Sequence, residues 1–375
     1  MYCEWPPRRA APMRLSPFRS LNSLPRSISD LSFDDTSHVL IATKWNGIQV
    51  IFVTGASGLL GNCVVRELLA RNIPVRALWR PGTPRRAIEG LDIQIIQGTL
   101  ENGDALTRAV QGCQAVIHCA AMIHLGWTQL EESRQVNVEG TRRIVEACLV
   151  NASKLIHVST VDTLPAARSI DRPIDERCDS GVPKIPCSYV VSKQEAENVV
   201  RCAIDQQQLN AVIVNPGFML GPYDWKPSSG RVMLGVSRAL IPFATRGGCS
   251  LCDARDVAKA IVNAGDQGKC GQSYILAGEN ITYRQLWANI LETVGRPRRV
   301  FWPYRAITVA GWFFDAANRL LPIQERSVNG AAIALGQLNN FYSSEKAARE
   351  LGYRCRPSKE TLQDTWHWLS EHFPS

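Results

Sequence analysis

The chain has 375 residues, 45% hydrophobic and 20% charged, with a formal net charge of +8, a length that suits two domains or one enlarged one. Five arginines against a single acid fall within residues 1–29, so half of the positive excess is local and the rest is too thin for a basic nucleic-acid face. Twelve scattered cysteines, several inside apolar segments such as VIHCAAM and VEACLV, read as free thiols of a reducing, cytoplasmic protein rather than a disulfide scaffold.

Residues 1–46 are Pro/Ser/Arg-rich without periodicity, and we expect a disordered extension. It lacks the apolar region of a secretory signal and only weakly resembles an organelle transit peptide; a start codon upstream of the functional chain is the alternative. From Ile48 short β-branched runs alternate with amphipathic stretches. Strands are expected at 48–54, 74–79, 92–98, 115–121, 154–160 and 210–216. Helices are expected over 59–72, a short RRAIEGL, 102–110, 131–150 and onward from Ser188. Apolar strands separated by helices predict a doubly wound α/β domain, a parallel sheet covered on both faces, over 47–220. Its ligand site lies at the carboxyl ends of the strands.

After Pro216 the rhythm becomes irregular. Residues 221–375 are expected to form a smaller, mostly helical substrate-binding region, with 253–265 returning to the main domain as a helix. No internal repeat is evident. The longest apolar stretch, AITVAGWFFDAANRLL (306–321), is broken by Asp315 and Arg319 and falls short of the roughly 18 uninterrupted apolar residues of a spanning helix. An amphipathic helix packed on its own protein is the expectation there.

The stretch VIFVTGASGLLGNC places Gly55, Gly58 and Gly61 between a strand and a helix. GxxGxxG is one residue wider at its first step than the GxGxxG dinucleotide fingerprint. Gly55 would allow the turn, Gly58 the approach of a pyrophosphate, and Gly61 close packing of helix on sheet, with phosphate on the helix N-terminus. A tight strand-to-helix turn without a ligand is the alternative. Strand two ends in RALWRPGTPRR, with no acid for a ribose 2′-hydroxyl but with Arg80, and Arg85 and Arg86 close behind. That favours NADP over NAD, unless Arg80 is a solvated surface residue; Arg76 reads as structural.

In SYVVSKQEAENVV, Tyr189 and Lys193 are four apart and share a helix face. A lysine ammonium lowers a neighbouring phenol's pKa and suits it to acid/base work. HVSTVD offers Ser159 and Thr160 to hold a substrate oxygen. A YxxxK spacing is also found on ordinary amphipathic helices. Cys249 and Cys252 form a CxxC without a second pair and inside an apparent strand, so neither zinc nor redox chemistry is expected. No metal spacing links His118, His124 and His157; the first and last read as satisfied core residues.

With these residues in view, the chain from about residue 48 resembles the extended short-chain dehydrogenase/reductases, closest to the dihydroflavonol reductase, 3β-hydroxysteroid dehydrogenase and nucleotide-sugar epimerase group. The resemblance rests on VTGASGLLG, VRALWRPG, VIHCAA, NVEGT, HVST, YVVSK, NPGFMLGP and DARDVAKA. It implies Tyr189 as acid/base, Lys193 orienting the cofactor ribose, and Thr160 as the hydroxyl. It implies cofactor contacts at Gly55, Ser57, Gly58, Leu59, Leu60, Gly61, Arg80, Thr99, Leu100, Ala120, Ala121, Tyr189, Lys193, Pro216, Gly217 and Met219. Asn137 matches the asparagine of NVEGT, partly structural in such folds. Two departures stand out: Gly98-Thr99-Leu100 replaces a common Gly-Asp, and Pro165 stands where many relatives have Gly.

The expected activity is interconversion of a ketone and a secondary alcohol with NADP(H). Met122, His124, Trp127, Met219, Tyr223 and Trp225 are candidate substrate residues, a largely apolar and aromatic set that suits a flavonoid-, steroid- or other ring-type alcohol. Two alternatives remain: a nucleotide-sugar epimerase or dehydratase holding NAD, and a cofactor-sensing regulator. The partner expected is a small molecule, with no nucleic acid and no integral membrane segment. Homodimerisation through the helices near 131–150 and 188–207 follows from analogy with the fold alone.

Overall fold

Strand β1 (Val50–Thr54) is buried at every residue, as a parallel strand covered on both faces must be. The computed structural model describes residues 50–178, 183–240, 242, 244–296 and 329–374. After β1 come α1 (Leu59–Ala70), β2 (Val75–Trp79), β3 (Gln94–Gln97), α2 (Gly103–Val110) and β4 (Cys113–His118). The helical stretch α3 (Leu130–Arg134), a π-helical turn Gln135–Glu139 and α4 (Gly140–Asn151) lead to β5 (Lys154–Val158), α5 (Ser188–Gln207) and β6 (Ala211–Pro216). Then follow β7 (Phe218–Leu220), α6 (Gly230–Arg238), β8 (Gly248–Asp253), α7 (Ala254–Asp266), β9 (Ser273–Leu276), β10 (Glu279–Thr282) and α8 (Tyr283–Thr293).

Among the described residues the main sheet has seven strands in the order β3-β2-β1-β4-β5-β6-β9, all parallel. The chain winds one way from β1 to β3 and the other way from β4 onward, which opens a crevice at the carboxyl ends of β1 and β4. The doubly wound α/β architecture expected from the alternation of elements is therefore present. The seventh strand was not among the expected six. At four residues it is too short to carry a period of its own, yet Tyr274, Ile275 and Leu276 are fully buried.

Three further expectations change in detail. The helix expected over 131–150 is interrupted by the π-helical turn. RRAIEGL forms only the short 3-10 helix Arg85–Ile88. The region after 216 contributes a second, four-stranded sheet, with β8 between β10 and the short β11 (Asn339–Asn340) and with β7 also paired to β8. This sheet approaches the first so closely that a Cβ on Gly217 would lie 2.4 Å from the Ser250 carbonyl oxygen.

The helix expected at 253–265 is α7, which packs with α1 over one face of the main sheet in a shared core. A second core joins α6, α8 and the C-terminal helix Ser358–His372. The N-terminal extension and the stretch 306–321 lie outside the described residues. Among the described residues no helix is long and apolar enough to cross a membrane.

Candidate active site

The glycine loop shows a different physical demand at each position. Gly55 has φ +75°, and a Cβ there would stand 2.7 Å from the Ala120 amide nitrogen, so the end of β4 leaves no room for a side chain. Gly61 faces the turn itself, where a Cβ would lie 2.2 Å from the Gly55 carbonyl oxygen. Gly58 is exposed, and a Cβ there would meet only the Gly55 oxygen at 3.5 Å. The chain's own atoms thus explain Gly55 and Gly61 but do not require glycine at Gly58. Gly58 is also the N-cap of α1, a helix with no side-chain cap and no acid in its first turn. An open cradle over uncapped amides fits a phosphate. Ser57 is half-buried beside it, while Leu59 and Leu60 are buried under the loop.

Arg80, at the end of β2, is exposed, as are Arg85 and Arg86. The Arg86 guanidinium lies over the Trp225 ring at 4.9 Å from its centroid. Arg76 is buried, donating to Gln94 and to the carbonyls of Ala109 and Gln111, a structural role as expected. Thr99 turns its hydroxyl to the Glu101 amide. Leu100 packs against Gly140, where a Cβ would meet its side chain at 2.9 Å. Ala120 donates its amide to the Thr54 hydroxyl, and Ala121 beside it is exposed.

The candidate reacting groups meet at the end of β5. Tyr189 is half-buried, and the neighbouring Thr160 side chain favours the ionised form of its phenol. Burial first, and the Asp162 carboxylate second, push its phenol above the usual range. The Thr160 hydroxyl also accepts from the Asp162 amide at 3.2 Å. Its carbonyl accepts from Asn215 Nδ2 at 3.1 Å and from the Thr163 hydroxyl at 2.8 Å. Lys193, one turn beyond Tyr189, is buried and donates to the Val158 carbonyl at 2.7 Å. Burial pulls its ammonium down to about 8, against the opposing pull of Glu197. The Lys193 ammonium is turned to the β5 backbone, and Asp162, Thr160 and Cys187 are the neighbours that bear on the phenol.

Ser159, the other hydroxyl in HVST, is committed elsewhere, donating to Glu197 Oε2 at 2.5 Å. Asp162 Oδ1 lies 3.3 Å from the buried Lys184 Nζ, which also reaches Asn340 Oδ1 and the Tyr342 hydroxyl, both at 2.8 Å. The sequence motifs do not single out Glu197, Asp162 and Lys184. The first is visible only as a carboxylate at i+4 from Lys193, and the other two as ordinary loop charges.

The substrate candidates divide into two groups. The segment after β4 borders Tyr189: the carbonyls of His124 and Gly126 accept the amides of Tyr189 and Ser188 at 3.2 and 2.9 Å. Met122 in that segment is held by Asn137, which accepts from its amide at 2.7 Å and donates to its carbonyl at 3.0 Å. Trp127 is 42% exposed, next to the similarly exposed Ile123 and Leu125. Tyr223 and Trp225 contact α1, the Arg85–Ile88 turn and the C-terminal helix. Tyr223 packs under the Arg66 guanidinium of α1 at 3.9 Å. Trp225 stands edge-on to Trp368 and His372 of the C-terminal helix, at 5.2 and 4.9 Å. Gly221 (φ +156°) and Pro222 turn the chain away here, with Cys63 of α1 donating to the Pro222 carbonyl. Pro216 ends β6, and Met219, on β7, packs on the main core.

His118 is satisfied by the hydroxyls of Thr54 and Thr141, at 2.7 and 3.2 Å. His157 is not: neither ring nitrogen has a partner among the described residues, because the strand register sets it against His118, ring centroids 5.7 Å apart.

Residues 51–277 match the model of the NAD dependent epimerase/dehydratase family. The chain is 33% identical over 331 residues to a Synechocystis sp. protein provisionally named a dihydroflavonol 4-reductase, covering 86% of this chain and 94% of the relative. It is 29% identical to sterol demethylase protein B of Methylococcus capsulatus, covering 85% and 98%. Among solved structures, gox2253 superposes with a TM-score of 0.75 at 33% identity, over 87% of this chain and 99% of that one. A dTDP-glucose 4,6-dehydratase of Streptomyces venezuelae, solved with NAD, shares the fold at TM-score 0.68 and 21% identity, over 86% and 97%.

Proposed function

Because the chain belongs to the NAD dependent epimerase/dehydratase family and is an oxidoreductase, we propose that it interconverts a ketone and a secondary alcohol on a ring-type apolar substrate with NADP(H). The observation that carries this reading is the placement of Thr160, at the end of β5, as a neighbour of the Tyr189 phenol, with Lys193 one helical turn further along α5, in a chain whose Gly58 cradle is open. The dinucleotide would lie on Gly55–Gly61 with Arg80 toward its 2′-phosphate, along Thr99, Leu100, Ala120 and Ala121, and with Pro216, Gly217 and Met219 flanking its nicotinamide end. It supplies or accepts the hydride.

The protein's own residues do the rest. Thr160 holds the substrate oxygen, and the Tyr189 hydroxyl donates its proton there in reduction or takes it back in oxidation. Lys193 exchanges its Val158 carbonyl for the ribose and, once turned, stabilises the phenolate. Met122, His124 and Trp127, beside the Tyr189 amide, would face the apolar body of the substrate.

A panel of ring ketones and alcohols followed by nicotinamide absorbance, with NADPH and NADH in parallel, tests the reading. Turnover with NADPH is expected, and Tyr189→Phe should reduce it by roughly 10²–10⁴-fold; full activity in that variant overturns the assignment. One feature favours a second reading. The Asp162–Lys184 pair beside Tyr189 suits a hydroxyl-rich sugar ring. Bound NAD in the purified protein, and turnover without net nicotinamide change, would support a nucleotide-sugar epimerase instead.

A further inference from the structure

The strongest polar cluster outside the reacting groups surrounds Glu197. Its carboxylate is 3% exposed and lies two helical turns past Tyr189 and one past Lys193. Oε2 accepts from the Ser159 hydroxyl at 2.5 Å, the Thr163 hydroxyl at 3.3 Å and Asn215 Nδ2 at 3.1 Å. Oε1 accepts from Arg201 Nε and Nη2 at 3.1 and 2.6 Å, and Nη2 also reaches Ser273 of β9 at 2.8 Å. One carboxylate thus ties α5 to the ends of β5 and β6 and, through Arg201, to β9. Two of its partners, Asn215 and Thr163, are the groups that hold the Thr160 carbonyl.

We propose that Glu197 is a positioning residue for the Thr160–Tyr189–Lys193 set: it fixes the strand end that carries Thr160 and sets a buried carboxylate one helical turn from Lys193 on the same helix. The inference rests on the reading of those three residues given above. A buried carboxylate is costly unless paired and hydrogen-bonded, and Arg201 alone would provide the pairing. Of the additional three bonds, two come from Ser159 and Thr163, which flank Thr160, and the third from Asn215 of β6, which also holds the Thr160 carbonyl.

The groups facing Lys193 are Cys119 and His118 from β4 and its end, His157 and the Val158 carbonyl from β5, and Glu197 from its own helix. Both histidines are held neutral by burial, which leaves Glu197 as the formal negative charge in this set. Without it, the ammonium should give up its proton at lower pH.

The test is the Lys193 titration midpoint, read from side-chain Cε–Nζ correlations of 13C,15N-lysine-labelled protein and assigned with Lys193→Arg. The wild-type midpoint should fall near 8. In Glu197→Gln it should drop by about one unit or more, as loss of a close opposite charge requires. Should the single variant leave Arg201 unpaired and fail to fold, Glu197→Gln with Arg201→Gln removes both charges and should still lower the midpoint. An unchanged midpoint in a folded variant overturns the proposal. Turnover separates it from the reading beneath it: the pH limb of ketone reduction should move with the NMR midpoint. A midpoint that moves while the turnover limb stays fixed leaves the tie to Glu197 standing and removes Lys193 from the reaction.

Discussion

At the scale of single residues, the three glycines of the loop make separable predictions. A Cβ on Gly61 would sit 2.2 Å from a backbone oxygen, whereas one on Gly58 meets nothing closer than 3.5 Å. Gly61→Ala should therefore lower the urea midpoint, by the equivalent of about 1–3 kcal/mol for forced overpacking. Gly58→Ala should leave the midpoint nearly unchanged yet weaken dinucleotide binding, because its methyl group enters the space above the α1 amides. Equal effects of the two on stability would remove the argument that Gly58 serves a ligand. Arg80 is exposed and should matter only to the 2′-phosphate. Arg80→Ala is expected to raise KM for NADPH by about tenfold, the equivalent of roughly 1.4 kcal/mol for one charge-assisted contact, and to leave KM for NADH unchanged. The glycine spacing was legible in the sequence. So was a separate role for each member; what the sequence does not carry is the close approach of the end of β4 to Gly55, which depends on the packing of two strands.

At the scale of elements, the strand alternation was readable because each buried strand is a nearly unbroken apolar run. Two features were hidden by tertiary packing. Nothing in NVEGT announces a π-helical turn, yet the turn places Asn137 where its amide can bond both Met122 and Ser192. The mismatch at His157 depends on register, since β4 and β5 set His118 against it, and register is a property of two strands together. Burial holds His118 down at about 3 and His157 well below its ordinary value. Both stay neutral when folded and take up protons when unfolded, so the stability they permit is complete above pH ~6.5 and is lost as pH falls below it. Each histidine should contribute a slope of about 1.4 kcal/mol per pH unit below that point. His157→Leu, which removes two unpartnered nitrogens, should flatten the acid side of a stability–pH curve without loss at pH 8. A curve unchanged between pH 6.5 and 4 would show that this ring does not titrate on unfolding.

At the scale of the whole molecule, the C-terminal helix is joined to the main fold by charges as well as by its apolar face. Asp253, fully buried at the end of β8, accepts from Arg255 at 2.9 and 2.8 Å and lies 3.5 Å from Arg356. Arg255 continues to Asp364 at 2.6 Å, and Arg356 to Asp256 at 2.7 Å and Glu360 at 3.0 Å. The motif DARDVAKA identified the helix start but not this network, because Arg356 and Asp364 lie about a hundred residues further on and carry no local signal. Position within the network should decide the effect of breaking it. Asp253→Ala leaves two half-buried guanidinium groups facing a vacated site and removes the cap that accepts from the Arg255 amide. A loss of about 3–5 kcal/mol is expected, as for other broken buried pairs. Asp253→Asn, which keeps one oxygen for the cap, should lose less. Glu360, 52% exposed at the edge of the same network, should contribute less than about 1 kcal/mol, and salt should screen it. Chemical denaturation of the three variants in low and high salt would separate these cases. Equal losses for Asp253→Ala and Glu360→Ala would mean that the network acts as diffuse surface charge, and that the apolar face of the C-terminal helix alone holds it to the sheet.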